Sequence, residues 1–201
     1  NQALCDSFTV AGPLIFGARV QPVEADAVRA AFDVAEKADL AAPDAAQTAA
    51  VKPWPYTPFG APGQVVSTHT VDDVGATYVR FANGVRLTVR PSQFRRNEIS
   101  VAVKIGSGRL MLPRDRVTVA WAAGALTGGG LKGLTATEIQ RSLAGRHYGA
   151  GFGIGEDGFT LAGGTTPDDL DLQMQVLAAY VTQAAFRPDA FERSRTAYAE
   201  R

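Results

Sequence analysis

The chain has 201 residues, 46% of them hydrophobic and 20% charged, which places it among folded globular proteins and excludes a disordered polar chain. Lysine plus arginine balance aspartate plus glutamate at 20 each, so no global field favours nucleic acid or an anionic membrane surface, and a basic site has to be local. No apolar run approaches the roughly 20 residues that span a bilayer, and the single cysteine, Cys5, has no internal partner for a disulfide.

The length suits one complete domain plus pieces of another. The chain opens on Asn1-Gln2 without a signal-peptide pattern and stops inside a helical pattern at Ala199-Glu200-Arg201, which reads as an internal fragment of a longer protein. Residues 1–40 contain one helix pattern after Gln21-Pro22-Val23-Glu24, with Val28, Ala31, Phe32 and Ala35 at helical spacing. Residues 41–63 form a Pro/Ala-rich linker, because closely spaced prolines enforce extended backbone and remove hydrogen-bond donors. Its aromatics, Trp54, Tyr56 and Phe59, point to a linker lying against a surface, with a polyproline recognition ligand as the sharper alternative.

From residue 64 strand signals dominate. Val65-Val66 opens one candidate strand, and Thr77 to Phe81 leads into Asn83-Gly84, a strong hairpin signal. Val85, Leu87 and Val89 alternate with Arg86, Thr88 and Arg90; Ile99, Val101, Val103 and Ile105 alternate with Ser100, Ala102 and Lys104. The two runs are expected to pair as antiparallel neighbours with one face solvated. Pro113 to Leu126 reads as a helix stopped by Thr127-Gly128-Gly129-Gly130. Thr135 and Glu138 have capping-box spacing for the next helix. Tyr148, Ala150, Phe152 and Ile154, the turn Asp157-Gly158, and Phe159 and Leu161 make a second hairpin. Thr166 is expected to cap a long amphipathic helix with Pro167 at its first position, burying Leu170, Met174, Leu177 and Val181, widened by Val176 and Tyr180. A last helix begins near Pro188. The succession predicts an α+β fold: an antiparallel sheet with helices packed on one face.

Chemistry is sparse. His69 and His147 have no second ligand at helical spacing, and each reads as a strand or loop residue. Gly153-Ile154-Gly155-Glu156-Asp157-Gly158 matches Gly-x-Gly-x-x-Gly by letter but falls in the hairpin turn, not between a strand and a helix, so it is no dinucleotide fingerprint. Gly128 to Gly133 contains Lys132, but no serine or threonine follows it and the Walker arrangement is missing. No Gly-x-Ser-x-Gly elbow occurs. Arg86, Arg90, Arg95 and Arg96 cluster locally and read as a solvated strand face, with anion binding as the alternative. Thr127, Gly128, Gly129, Gly130 and Lys132 remain as the candidate contact loop, since three glycines exceed what a helix stop needs.

Taken as an ordered series, several segments resemble the pitrilysin and insulinase class of zinc metallopeptidases, which includes the mitochondrial processing peptidase. The carrying residues are Phe81 to Leu87, Ile99 to Gly108, Leu126 to Gly130, Leu143 to Arg146 with Gly151 to Gly153, and Thr165 to Leu170 through Phe186-Arg187-Pro188. Trp54-Pro55-Tyr56 with Phe59 to Gly63 looks like the linker entering the second, non-catalytic half of bacterial members.

The resemblance implies a metallopeptidase LuxS/MPP-like repeat over 64–201, truncated at its C-terminal end, with residues 1–40 as the tail of a preceding repeat. Where the family carries its inverted zinc motif, this chain aligns Val119, Ala122 and Ala123, and no histidine occurs between Gly75 and Arg146. The implied catalytic and metal residues are therefore none, and the chain should be inactive alone. Zinc is expected in a catalytic N-terminal half or a separate catalytic subunit, which together with a peptide substrate would be the partners. The implied role is to complete a substrate chamber and help hold peptide through Thr127, Gly128, Gly129, Gly130 and Lys132. A catalytically dead structural or partner-binding subunit of the same fold is the alternative. Neither nucleic acid nor a membrane span is expected, and a periplasmic location is implied by the resemblance alone.

Overall fold

The computed structural model describes residues 23–37, 50–115 and 117–200. The chain divides into two units, Asn1–Ala49 and Ala50–Arg201. In the first unit the expected helix is present as α1, Ala25–Lys37. Most of the expected repeat tail, Cys5 included, and residues 41–49 of the linker lie outside the described residues.

The second unit begins as an extended strap. Trp54 Nε1 donates to Gln175 Oε1 at 3.1 Å, the Tyr56 hydroxyl accepts from the Gly133 amide at 2.9 Å, and Lys52 Nζ meets Glu138 Oε1 at 2.7 Å. The Trp54 and Tyr56 rings meet edge-on at 5.1 Å and pack against the core. Trp54 and Tyr56 thus lie on a surface, as expected of the linker aromatics, whereas Phe59 is 45% exposed.

Strands β1 (Val65–Val71), β2 (Ala76–Phe81) and β3 (Arg86–Val89) form an antiparallel sheet in that order. The β2–β3 turn is set by Gly84 at φ 87 and by the Asn83 side chain, which accepts from the Val85 amide at 3.1 Å. Strands β4 (Ile99–Ile105), β5 (Gly151–Ile154) and β6 (Phe159–Thr165) form a second antiparallel sheet, in the order β4-β6-β5. This corrects the expected pairing of the 85–89 run with the 99–105 run. β3 takes β2 through its tight turn, whereas β4 matches the full length of β6, from Ile99 opposite Thr165 to Ile105 opposite Phe159. Between the sheets, Pro91 can donate no ladder hydrogen bond, and residues 90–98 form no strand.

The expected helix over 113–126 is also broken. Its middle is a 3-10 turn, Val117–Ala122, followed by the short helix α2, Gly124–Gly128. Val117, Thr118 and Val119 are consecutive β-branched residues with restricted side-chain freedom in a helix, which weakens propagation there. Helix α3, Ala136–Ser142, starts with the predicted capping box: Thr135 Oγ1 accepts from the Glu138 amide at 3.2 Å and Glu138 Oε2 accepts from the Thr135 amide at 2.8 Å.

Helix α4, Leu170–Gln183, begins after a 3-10 turn, Pro167–Asp169, and Thr166 makes no side-chain cap, contrary to expectation. Its buried stripe runs through Leu172, Gln173, Val176, Leu177, Ala179 and Tyr180, while Met174 and Val181 are about half exposed. Leu177, Val176 and Tyr180 are where the periodicity puts them; Met174 and Val181 are not. Gln173, fully buried, explains the rotation: its amide donates to the Gly149 carbonyl and accepts from the Gly149 amide, both at 2.8 Å. A glutamine satisfied on both atoms can occupy a core position that hydrophobic patterning assigns to an apolar residue. Leu131, Leu134, Ile139, Leu143 and Leu161 complete this core, against which Val101 and Val103 pack. Helix α5, Pro188–Ala199, comes last. Trp121 lies 5.4 Å from each of its Phe191 and Tyr198 rings.

Candidate functional site

The glycine triplet closes α2, and its members serve different ends. Gly128 is exposed, with open space where a side chain would project. Gly129 is buried: its amide donates to Ala125 O at 2.9 Å and its carbonyl accepts from Arg187 Nη1. Gly130, at φ 68, has its amide on Thr127 O at 3.1 Å and its carbonyl on the Ala185 amide at 3.1 Å; a β-carbon there would sit 2.7 Å from Leu134 O. The bare backbone that the glycines promise to a ligand is therefore engaged within the fold at Gly129 and Gly130. Thr127 contributes its carbonyl to the Tyr180 hydroxyl at 3.2 Å. Burial pushes the Tyr180 phenol up to about 12, with a smaller contribution from Tyr148, so it stays a neutral donor.

Lys132 is exposed, with its amide bonded to Gln183 O at 2.9 Å. It borders an apolar recess of about 490 Å³ that is floored by Leu126, Phe152, Phe159 and Leu161. A second recess, about 390 Å³, shares Leu126, Phe152 and Phe186 with the first and is walled by Ala122 and Ala123. Phe186, in the turn between α4 and α5, adopts φ 48 and leaves 72% of its surface exposed. A left-handed backbone is uncommon for a bulky residue, and such residues concentrate at functional sites. Sequence reasoning missed Phe186 and Phe152. Phe186 followed by Arg187-Pro188 looked like a helix start, and nothing in a sequence announces a positive φ outside glycine and asparagine.

Of the remaining candidates, His69 is an exposed β1 residue. His147 lies in the loop before β5, where its amide donates to Asp169 Oδ2 at 2.7 Å and its ring Nδ1 is 3.5 Å from the same oxygen. That amide first, and then the Arg146 guanidinium, hold the Asp169 carboxyl below the usual carboxylate range. Arg146 Nε bonds the other Asp169 oxygen, so this buried carboxylate ties the loop to the start of α4. The Gly153 to Gly158 stretch closes strand β5 and makes the β5–β6 turn, where the Gly155 amide donates to Gly158 O at 2.9 Å.

The positions that align with the zinc motif do not fit the metal. Ala122 and Ala123 carry no ligating atom and face an apolar recess. Among the described residues no three of His, Cys, Asp and Glu converge into a metal-holding group.

No protein-family model matches this chain, and no curated protein matches it in sequence. Its fold is similar to part of the periplasmic protease PqqL from Escherichia coli, at TM-score 0.63 and 16% identity, covering 87% of this chain and 19% of that one. It is also similar to the ferredoxin protease FusC, solved as a mutant in complex with Arabidopsis ferredoxin, at TM-score 0.60 and 13% identity, covering 89% of this chain and 20% of that one. The chain thus spans about a fifth of the length of each. These likenesses show the fold, an α+β arrangement that also occurs within two much longer proteases. No helix among the described residues is long and apolar enough to cross a membrane.

Proposed function

We propose that this chain is a non-catalytic segment of an insulinase-type zinc metalloendopeptidase, completing the substrate chamber and helping to hold peptide. The observation that carries the reading is the fold shared over nearly the whole chain with two much longer proteases. The alanines at the zinc-motif positions support a wall rather than a reaction centre. In this reading zinc belongs to a catalytic half or a separate catalytic subunit, where it would activate water and polarise the scissile carbonyl. This chain's part is to bind and orient. The recess around Leu126, Phe152 and Phe186, with Lys132 at its rim, suits an apolar side chain of an extended peptide. A periplasmic location is part of the same proposal.

The test is reconstitution. The zinc-bearing half is expressed with and without this chain, and cleavage of an unstructured peptide is measured; cleavage is expected to depend on both. Metal analysis of the dialysed chain alone should give no stoichiometric zinc. A catalytic half at full rate without this chain would sink the chamber role and favour the structural or partner-binding subunit.

A further inference from the structure

We propose that the polar face of the β1–β2–β3 sheet binds an acidic stretch of polypeptide, with Arg80 and Arg86 as its anchors. The register puts Arg80 directly opposite Arg86 on adjacent strands, with Tyr78 opposite Thr88, His69 opposite Tyr78 and Ser67 opposite Arg80. Alternation sends these six side chains to one face, and all six are exposed. Every one can donate a hydrogen bond. The three strands contain no aspartate or glutamate.

Like charges directly opposite each other in a sheet are destabilising unless something neutralises them. Several other cations meet counter-ions within the chain. Lys104 of β4 meets Asp157 at 2.7 Å, Arg109 in the 3-10 turn after β4 meets Glu156 at 3.1 Å, and Arg95 is paired with Glu98 at 2.9 Å. Arg90 is bonded through Nε to Val74 O at 3.2 Å, and Arg96 lies in the connection after β3. Arg80 and Arg86 have no carboxylate at ion-pair distance among the described residues. The arginine cluster visible in sequence is thus dismantled by the fold, and a different pair is assembled, one member of which, Arg80, lay outside that cluster.

The shape and charge of the face select its occupant. Its side chains are all exposed, which leaves a single small anion poorly enclosed. One aromatic, Tyr78, gives little of the stacking that single-stranded nucleic acid uses, and the balanced net charge supplies no steering field for it. Carboxylates on an extended peptide laid along the strands can each take a bidentate arginine. That this polypeptide is a substrate rests on the chamber reading above; the binding itself does not.

The test is fluorescence anisotropy on the full chain with a labelled ten-residue glutamate-rich peptide and its glutamine counterpart. The acidic peptide should bind more tightly, more weakly as salt rises, and about tenfold more weakly in the Arg80→Gln/Arg86→Gln variant, the loss of a charge-assisted contact. Arg80→Glu should abolish binding while holding or raising the Tm, since it creates an opposite-charge cross-strand pair with Arg86. Equal affinity for both peptides, an unaffected glutamine variant, or equal competition by phosphate or an oligonucleotide overturns the proposal, as does a falling Tm in both variants. Cleavage of a neutral peptide by the reconstituted enzyme should survive the glutamine changes, so failure here and failure of the chamber reading are separable.

Discussion

The β1–β2–β3 sheet and the β4–β6–β5 sheet are built from similar alternating sequences, yet they end in opposite environments. Val101 and Val103 of β4 pack against the core, whereas Leu87 and Val89 of β3 keep 43% and 46% of their surface exposed. The difference lies in the element that comes next along the chain. β6 runs through the four residues 166–169 into α4, which folds back over its own sheet and seals it with Leu172, Val176 and Leu177. β3 runs into residues 90–98, which form no helix. Alternation fixes the two faces of a strand, but burial comes from the neighbour that covers one of them.

Truncating a leucine of the helix that covers the second sheet, and one on the uncovered first sheet, gives the largest expected effect. Leu177→Ala, emptying a site that is 1% exposed, should cost about 2–5 kcal/mol in urea unfolding, and Leu87→Ala about 1 kcal/mol or less. Similar losses at both would mean that the first sheet is covered and the contrast is false. Next comes the triplet. Gly130→Ala, at φ 68 with backbone 2.7 Å from the new β-carbon, should destabilise by about 1–3 kcal/mol. Gly128→Ala, in open space, should stay within about 0.5 kcal/mol. Equal and negligible effects on Tm would return Gly130 to the role of a free contact residue.

Two smaller effects probe the strap seated on the core beside α3 and α4. Trp54→Phe removes the hydrogen bond to Gln175 and should cost about 0.5–1.5 kcal/mol; no change would mean that the strap is not seated. The smallest effect concerns acid. The Lys52 ammonium first, then the Thr135 amide and hydroxyl, hold the Glu138 carboxyl at about 2, below its ordinary value of 4.5. A carboxyl depressed in the folded state contributes stability above the unfolded pKa and loses it as pH falls toward the folded one. The Tm gap between wild type and Glu138→Gln should therefore be full at pH 6 and close between about pH 4.5 and 2. A gap independent of pH would show that the carboxylate charge is not what ties Lys52 down.

Much of the local structure was legible in the sequence, because its causes are local. Asn83-Gly84 made its hairpin, Thr135 and Glu138 made their capping box, Asp157-Gly158 turned β5 into β6, and two of the linker aromatics, Trp54 and Tyr56, found a surface. Each depends on a few neighbouring residues and the conformations open to them. The α+β class came from the order of these elements. Only the tertiary structure decided which strands pair and which face of α4 is buried. Pairing is a competition between distant partners, won by the length of ladder that β6 offers β4, and the helix face turned on Gln173 finding both its hydrogen bonds at Gly149. The site was the least legible for the same reason. Burial of Gly129 and Gly130, the left-handed turn at Phe186 and the meeting of Arg80 with Arg86 join residues or conformations that no spacing in the sequence brings together, because charge and backbone strain acquire meaning only from what lies across space.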